Sequence, residues 1–383
     1  MPRTRSLFFE NSVIQPIYHS ASFFFSNSKQ VENYHKGLEK LGRYGRYDNP
    51  SWLEVESELA LLDQADQALL FPSGMNAIST ILLTFLQSGD QCIYTGKGYR
   101  NIRNLCSAVL PRYGITTVSV PLDTPGSFRQ AFTKAYNPKT RIVLLECPSN
   151  PHLYVPDILF VKSQVRGNTL IVVDSTLASP INLKPVTLGA DLVVHSCGKY
   201  IAGHSDVMAG SVAGSGKLIE QIRALRNVLG AIPDPHTAFL LRRGMHSLAL
   251  RMEYLNRAGA RVADFLSSEP KVKRVFYTGL ATHPHAELAQ QMFCGHGALM
   301  LFELDGNSRT ARRFIDLLRI PFMATHFGGP YSLVEQCSLF TYYKESVAER
   351  KRLGISDTHI RLSLGLEPTE KIIRDLKSAF RAI

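Results

Sequence analysis

The segments LIVVDST, residues 170–176, and DLVVHSCGK, residues 191–199, decide the fold class. Each contains a continuous apolar run that ends in polar residues, and a segment long enough for a helix separates them. Buried apolar strands that alternate with helices are typical of parallel sheets with both faces covered. The two segments therefore predict a mostly parallel sheet in an α/β fold.

Further apolar runs extend this pattern towards the N-terminus. QCIYTG at 91–96, TTVSVPL at 116–122 and RIVLLECP at 141–148 have the composition of strands. QALLFPSGMNAISTILLTFL at 67–86 predicts a strand, a Ser-Gly turn and a helix. Together these elements predict an α/β domain over residues 51–235.

The two ends of the chain have different patterns. LLRRGMHSLALRMEYLNRAGARVADFLSS at 240–268 has helical periodicity, ALMLFEL at 298–304 is strand-like, and residues 372–383 form a last helical segment. We therefore expect a smaller α+β domain over residues 236–383. Residues 1–50 are aromatic and loop-like, and we expect them to form an arm that contacts a neighbouring subunit.

Composition excludes several classes of protein. The chain has 383 residues, 45% of them hydrophobic, and lacks the run of about 18 apolar residues that a membrane-spanning helix requires. Its basic start lacks the apolar core of a secretory signal, so we expect a cytoplasmic protein. The six cysteines form no CxxC pair and no zinc-like spacing with histidine, which predicts free thiols and no metal site. The net charge of +11 is dispersed, which favours a solvated surface with anion-binding sites over a nucleic-acid interface.

Two strand ends carry residues suited to covalent chemistry. Lys199 follows one apolar strand, where it could form an imine with a carbonyl group or simply extend its amine to solvent. Asp174 ends another apolar strand, where a buried carboxylate needs a cationic partner. A protonated pyridine nitrogen would be such a partner, although an Asp in this position can also cap a helix.

Two further segments fit the binding of a phosphate and of an aromatic ring. PSGMNAIS at 72–79 places small residues before a helix, where backbone N–H groups can hold a phosphate or the serine can act as an ordinary cap. Tyr99 follows another strand, and its ring could stack on a cofactor or belong to the core.

Nine segments carry a resemblance to a known family. They are, in chain order, YGRYDNPS, FPSGM, GKGYR, ECPSNP, VVDST, HSCGKYIAGHSD, RRGMHSLALR, FGGPYS and IRLSLGLE. Their order resembles that in the Cys/Met-metabolism enzymes that use pyridoxal 5'-phosphate (PLP), the cystathionine γ-synthase family of fold type I. The resemblance runs from about residue 14 to the end, and the plant-type synthases form the most similar subgroup.

The resemblance implies a fold, a cofactor and an assembly. It implies a fold type I transferase with a seven-stranded-type sheet, helices on both faces, and a homotetramer built as a dimer of dimers. Lys199 resembles the lysine that forms a Schiff base with PLP and shuttles protons, and Tyr99 resembles a stacking tyrosine that can act as a base. The implied cofactor-binding positions are Lys199, Asp174, Thr176, Ser73, Gly74, Met75, Tyr99, Ser196, Asn150, Tyr44 and Arg46. Tyr44 and Arg46 would reach the phosphate in the neighbouring subunit.

The resemblance also implies how a substrate binds. Arg361 resembles the arginine that binds the substrate α-carboxylate, a task suited to a planar and always charged group, although a surface salt bridge is the ordinary role of an arginine. The implied substrate-binding positions are Arg361, Asn150, His326, Tyr44 and Arg103. Arg100 and Arg103 could meet an anionic leaving group or pair with surface acids.

Four positions bear on which substrate is used. Gly198 stands where the family usually has threonine before the lysine, so one phosphate-binding hydroxyl is missing. His326 replaces the usual serine, and Tyr331 replaces the usual glutamate. His326 could bind a carboxylate, act as an acid or base, or fill space. Ile102 occupies the place where methionine γ-lyases typically have cysteine, which counts against that activity.

The resemblance thus implies γ-replacement on an activated homoserine, carrying an O-phospho, O-succinyl or O-acetyl group, through a vinylglycine intermediate. Cysteine or another nucleophile would complete the reaction. The alternative is a cystathionine or cysteine-conjugate lyase that releases ammonia and a keto acid. A non-catalytic or nucleic-acid-binding descendant is a third hypothesis, which the retention of Lys199, Asp174, Tyr99 and Arg361 disfavours.

Overall fold

A computed structural model describes residues 11–39 and 41–383 of the chain. Within these two ranges, no helix combines the length and the apolar character that crossing a membrane would require. Five of the six cysteines are buried, Cys294 is exposed, and all six are free thiols.

The larger sheet has seven strands. They are β1 (Gln67–Phe71), β2 (Gln91–Thr95), β3 (Thr116–Val120), β4 (Thr140–Glu146), β5 (Leu170–Asp174), β6 (Leu192–His195) and β7 (Gly210–Gly214). Their order in the sheet is β1-β7-β6-β5-β4-β2-β3. Only β7 within this sheet pairs antiparallel, with β1 on one side and β6 on the other. The predicted mostly parallel sheet is confirmed.

The α-helices of the described ranges precede, separate and follow these strands. They are α1 (Ser28–His35), α2 (Pro50–Asp63), α3 (Gly74–Phe85), α4 (Arg100–Asn104), α5 (Pro125–Ala135), α6 (Ile158–Gln164), α7 (Ser179–Asn182), α8 (Gly216–Leu229), α9 (Pro235–Met245), α10 (Leu248–Ser268), α11 (Ala286–Met292), α12 (Ser308–Leu317), α13 (Val347–Arg352) and α14 (Thr369–Arg381). Local sequence sets several starts. For example, the side chain of Asn49 accepts a hydrogen bond from the backbone N–H of Ser51, and Pro50 occupies the first turn of α2.

Both faces of the larger sheet are buried under helices. Alternate residues of β5 point to opposite sides: Ile171 and Val173 join a cluster with α5 and α6, whereas Val172 joins a cluster with α3 and α8. A strand covered on both sides needs apolar residues at every position rather than at every second one. This explains why LIVVD is a continuous apolar run.

The second sheet contains five strands. They are β8 (Val272–Phe276), β9 (Leu299–Leu304), β10 (Phe322–Met323), β11 (Leu333–Gln336) and β12 (His359–Ser363), in the order β10-β11-β12-β9-β8. The two sheets fall on either side of residue 235, in keeping with the two predicted domains, whose bounds remain a prediction. Helices α10, α12 and α14 pack near this sheet, and the rings of Phe314 and Phe380 lie 4.6 Å apart.

Strand β7 was not among the strands that the apolar pattern predicts, because its sequence is GSVAG. A Cβ atom on Gly210 would lie 2.2 Å from the carbonyl carbon of Ser73. The small residue therefore lets the start of α3 approach the sheet closely. Because such close packing requires small residues, β7 lacks the large apolar side chains by which the other strands were recognised.

The predicted arm contains α1 and extended chain. Its first ten residues and Lys40 lie outside the described residues. In the rest of the arm, Val13, Ile14 and Leu38 are 98%, 55% and 71% exposed. Contact between this arm and a neighbouring subunit remains a prediction.

Candidate active site

A cavity of about 790 Å³ lies where strands β4, β5 and β6 end. Side chains from the loops of both sheets line it, as expected for a site at the carboxyl ends of parallel strands. Eleven of the predicted site residues line this cavity: Ser73, Gly74, Met75, Tyr99, Asn150, Asp174, Thr176, Ser196, Lys199, His326 and Arg361. The structure therefore assembles one site from segments that are far apart in the sequence.

Lys199 extends into the cavity from the loop after β6. Its Nζ atom lies 2.5 Å from Nδ1 of His326 and 5.2 Å from the ring centre of Phe327. Burial, together with the positive charge of Arg361, lowers the pKa of Lys199 to about 8. A larger fraction of this amine is thus neutral at neutral pH than for an ordinary lysine, which suits a nucleophile that attacks a carbonyl group.

A chain of hydrogen bonds connects the ends of β5 and β6. The backbone N–H of Ser196 donates to Oγ1 of Thr176 at 2.8 Å, and Thr176 Oγ1 donates to Oδ1 of Asp174 at 2.5 Å. The backbone N–H of Thr176 also donates to this oxygen, at 3.0 Å. Both bonds leave Oδ2 of Asp174 without a hydrogen bond in the described part of the chain. Burial raises the pKa of Asp174, while the bonds from Thr176 oppose the rise.

The start of α3 forms one wall of the same cavity. Oγ of Ser73 accepts a hydrogen bond from the backbone N–H of Asn76 at 3.1 Å and so caps the helix. A Cβ atom on Gly74 would lie 3.1 Å from Cα of Ser196. Because Gly74 lacks that atom, the first N–H groups of the helix and the β6 loop can approach one group from two sides.

These features fit PLP. A pyridine nitrogen that keeps its proton would satisfy the free oxygen of Asp174, and the amine of Lys199 suits an aldehyde. The wall of Ser73, Gly74 and Ser196 suits a phosphate. These residues could hold the three polar ends of the cofactor in one cavity.

Tyr99 lies at the cavity mouth, just before α4, and is 40% exposed. Glu146 at the end of β4 fixes the surrounding loops. Its Oε2 accepts the backbone N–H of Tyr99 at 2.5 Å, and its Oε1 accepts that of Asn150 at 2.8 Å. Burial and the nearby Asp174 raise the pKa of Glu146 to about 8. A Cβ atom on Gly98 would lie 2.4 Å from Oε2, so a glycine is needed beside this carboxyl group.

Arg361 projects from β12 and is almost fully buried. Its Nε lies 3.1 Å from Oε1 of Glu335, which faces it on β11. Its Nη1 donates to Oδ1 of Asn150 at 3.2 Å, and its Nη2 donates to the carbonyl oxygen of Thr325 at 2.6 Å. A guanidinium group has five N–H donors, so two remain for a ligand. This arrangement suits a substrate carboxylate.

The unusual residues occupy different places. His326 lines the cavity beside Lys199, whereas Tyr331 does not line it and is 59% exposed with its ring 5.7 Å from that of Phe322. A Cβ atom on Gly198 would lie 2.2 Å from the carbonyl oxygen of Val207. The neighbouring backbone therefore fills the space where the family usually has a threonine side chain.

The structure corrects one of the expectations drawn from the α4 region. Arg103 does not line the cavity, because it is buried with its guanidinium 3.7 Å from both Glu345 and Glu349. Arg100 lines the cavity instead. Ile102 packs in the core near α3 and does not line the cavity.

Tyr44 and Arg46 also lie outside the cavity of their own chain. The guanidinium of Arg46 donates to the carbonyl oxygen of Asn227 and lies 4.8 Å from the ring centre of Tyr47. Their predicted contact with the phosphate in a neighbouring subunit remains a prediction.

Sequence reasoning missed a buried pair that joins the ends of α2 and β6. Nε2 of His195, at the end of β6, lies 2.9 Å from Oδ1 and 3.1 Å from Oδ2 of Asp63, the last residue of α2. Burial alone would lower the pKa of His195, but the charge of Asp63, its hydrogen bond to the ring and the charge of Asp174 together raise this pKa overall. Glu146 and Glu335 were missed as well, although the first ends an apolar strand as Asp174 does.

Three comparisons place this geometry among known proteins. Residues 4–381 match the model of a family described as Cys/Met metabolism PLP-dependent enzyme. The chain is 37% identical over 375 residues to cystathionine gamma-synthase 1, chloroplastic, of Arabidopsis thaliana, covering 97% of this chain and 66% of that relative. It is 36% identical to L-methionine gamma-lyase of Fusobacterium nucleatum subsp. polymorphum, covering 97% and 94% of the two chains.

A solved structure extends the likeness to the fold. The crystal structure of cystathionine gamma synthase from Xanthomonas oryzae pv. oryzae in complex with cystathionine superimposes with a TM-score of 0.89 at 33% identity. The match covers 97% of this chain and 93% of the other. The expected fold class is confirmed.

Proposed function

Because this chain belongs to the family of Cys/Met metabolism PLP-dependent enzymes, we propose that it catalyses γ-replacement on a homoserine whose γ-oxygen carries an anionic group. A phosphate or succinate ester fits this description, and a thiol such as cysteine is the incoming nucleophile. The observation that carries the proposal is the charge of the cavity lining. Arg361 is paired with Glu335, whereas Arg100 and Lys344 line the cavity without an ion pair to any residue between 11–39 or 41–383. Two unpaired cations suit a negatively charged leaving group.

The residues divide the reaction between them. The guanidinium of Arg361 binds the α-carboxylate and so orients the amino acid. Lys199 Nζ takes the proton from Cα and returns protons at neighbouring carbons, and Arg100 and Lys344 stabilise the charge on the departing oxygen. Bound PLP supplies the electron sink that stabilises negative charge next to the amino group. Asp174 would hold the ring nitrogen of bound PLP in its protonated form.

Elimination without replacement is the second candidate. The likeness to a methionine gamma-lyase, at 36% identity over nearly the whole chain, supports it. The two candidates share all steps up to the loss of the γ-group and diverge after that loss. A lyase would release ammonia and a keto acid even when a thiol is present.

A product assay tests the proposal. Purified protein with PLP is mixed with O-phospho-, O-succinyl- or O-acetylhomoserine, with and without cysteine, and the products are identified by mass. We expect cystathionine from an anionic ester and cysteine. Keto acid alone, at the same rate with and without cysteine, would favour elimination, and no product from any of the three esters would refute γ-replacement on an activated homoserine.

Charge variants test the leaving-group site separately. Arg100→Gln and Lys344→Gln should raise KM for the phospho and succinyl esters by roughly tenfold, as expected for one lost hydrogen bond to a charged group. They should leave KM for the acetyl ester nearly unchanged. Arg112→Gln is a control, because Arg112 is an exposed arginine that does not line the cavity. Equal effects on all three esters would contradict the assignment.

Tyr44 and Arg46 lead to a proposal about assembly. Each site of a homo-oligomer, expected to be a tetramer, is completed by these two residues of a neighbouring chain. The exposed apolar residues of the arm, such as Val13 and Leu38, support burial against a partner. Mixing inactive Lys199→Ala with inactive Arg46→Gln after dissociation should restore activity, because one intact site forms in a mixed dimer. No recovery in confirmed mixed oligomers would refute the shared site. Cytoplasmic location stays a prediction.

A further inference from the structure

His326 is the residue next to Lys199 that the resemblance does not explain. We propose that His326 is a positioning residue for Lys199. The Nδ1 atom of His326 accepts a hydrogen bond from the amine of Lys199 and holds that amine in place whenever it is free. The kinetic part of this inference rests on the proposed function. The structural part concerns the free lysine alone.

The geometry supports this role directly. Nζ of Lys199 lies 2.5 Å from Nδ1 of His326, and this is its one hydrogen bond to the described residues. A protonated lysine amine has only donors, so Nδ1 must be the acceptor and the neutral ring then carries its proton on Nε2. The chain therefore selects one tautomer of His326 through its contact with Lys199.

The surroundings of His326 keep it neutral and packed beside Phe327. Burial and the charge of Lys199 lower the pKa of His326 to about 4, with Arg361 acting in the same direction and a contact with the backbone of Gly198 opposing them. The ring lies against Phe327, with centroids 6.3 Å apart and planes inclined by 29°. Nε2 is buried without a hydrogen-bond partner among the described residues, so the ring is not held by a bond at its far side. A neutral ring can accept a hydrogen bond, whereas a protonated ring would repel the ammonium group.

Holding the amine matters because lysine has a long and flexible side chain. Once the substrate has replaced the lysine at the cofactor, Nζ is free to adopt several rotamers. Proton transfer needs the amine within hydrogen-bond distance of the carbon that gains or loses the proton. One acceptor at a fixed place limits the amine to few positions. The serine that the family usually has there is shorter than histidine, so His326 places the acceptor at a different distance from the backbone.

Two variants of His326 separate the effect of its hydrogen-bond acceptor from the effect of its side-chain volume. His326→Asn keeps an acceptor close to the position of Nδ1, because Oδ1 of asparagine is attached to the same carbon of the side chain. His326→Leu fills similar space without an acceptor. Circular dichroism and PLP titration establish that both variants fold and bind cofactor before either is compared.

The first readout uses the apo protein and needs no turnover. A pulse of acetic anhydride at several pH values labels neutral amines, and peptide mass spectrometry reports the labelled fraction at Lys199. His326→Leu should move the labelling midpoint down by about one pH unit, because an acceptor that stabilises the ammonium form is lost. His326→Asn should stay near wild type. The carboxyl groups of Glu146 and Asp174, the phenol of Tyr99 and the guanidinium of Arg361 also line the cavity, but they are identical in all three proteins.

The second readout is steady-state kinetics with the amino acid that wild type consumes. His326→Leu should lower kcat by about 10- to 100-fold with little change in KM, the size expected when a proton-transfer group is misplaced. His326→Asn should recover most of the lost kcat. Equal kcat losses in both variants, or an unchanged midpoint in His326→Leu, would overturn the inference and leave His326 as a space-filling residue. If wild type consumes no amino acid, the proposed function fails, and the labelling result alone decides this inference.

Discussion

Restoring the usual threonine at position 198 should weaken the cofactor site rather than repair it. The resemblance alone suggests that Gly198→Thr would add a hydroxyl for the phosphate. In the structure, a Cβ atom at this position would lie 2.2 Å from the carbonyl oxygen and 3.3 Å from the carbonyl carbon of Val207. These are backbone atoms, so no side-chain rotation removes the contact.

The cost depends on the distance that the backbone must move. Ordinary carbon–oxygen contacts are longer than 2.2 Å by about 1 Å, so the segment from Val207 to Ala209 must shift by a similar amount. All three residues of this segment line the cavity. Forcing extra atoms into a packed site typically costs about 1–3 kcal/mol. If the whole cost falls on the cofactor complex, the Kd for PLP rises by about 5- to 150-fold.

Two measurements show whether this free-energy cost weakens PLP binding or destabilises the apo protein. Fluorescence titration gives the Kd for PLP, and urea unfolding gives the free energy of unfolding of the apo protein. The Kd converts to a free energy of PLP binding. We expect Gly198→Thr to lose about 1–3 kcal/mol when its losses in binding free energy and in unfolding free energy are added. Gly126→Thr is the matched control, because a Cβ atom there meets nothing within 4 Å. Tighter PLP binding by Gly198→Thr, without loss of stability, would refute the reasoning.

Three further predictions concern Asp63, Arg361 and His152. Asp63→Asn leaves His195 without its anionic partner, and breaking such a buried pair costs about 3–5 kcal/mol. The midpoint of urea unfolding should therefore fall clearly, and an unchanged midpoint would contradict a stabilising role of the pair. Arg361→Lys keeps the charge but loses the planar set of donors, so KM for the amino acid should rise roughly tenfold or more, and an unchanged KM would exclude carboxylate binding there. Burial, aided by the nearby His359, lowers the pKa of His152 to about 3 in the folded chain. Between that pH and about pH 6.5, the unfolded chain therefore binds a proton at His152 that the folded chain does not bind. Unfolding free energy should therefore fall as pH is lowered through this window, and it should fall less steeply in His152→Gln; equal slopes would contradict the effect.

The sequence predicted strands best where burial is complete and side chains are large. LIVVD and LVVH form β5 and β6 because each is covered on both faces, and this requires an unbroken apolar run. GSVAG escaped detection because close approach of α3 demands small residues. HIRLS forms a fully buried strand, yet Arg361 within it is balanced by Glu335 on the neighbouring strand. A single strand's sequence contains no sign of a partner on another strand.

The same distinction applies to the site. Asp174 was predicted because it directly follows an apolar run, and Lys199 because it lies just after the next such run within a motif that resembles the family. The pair of Asp63 and His195 was missed because 132 positions separate its members. Arg103 was expected beside Arg100 at the substrate, but buried pairing with two distant glutamates draws it away from the cavity. Such long-range pairings depend on the fold and leave no local signal.

The central claim is that Lys199 carries the cofactor. Borohydride reduction of the PLP-loaded protein makes the lysine–cofactor linkage permanent, and peptide mass spectrometry then locates the modified residue. The structure predicts a pyridoxyl-phosphate adduct on the peptide that contains Lys199, and its loss in Lys199→Ala. A stoichiometric adduct on another lysine, or none in a protein that binds PLP and is active, would contradict the account.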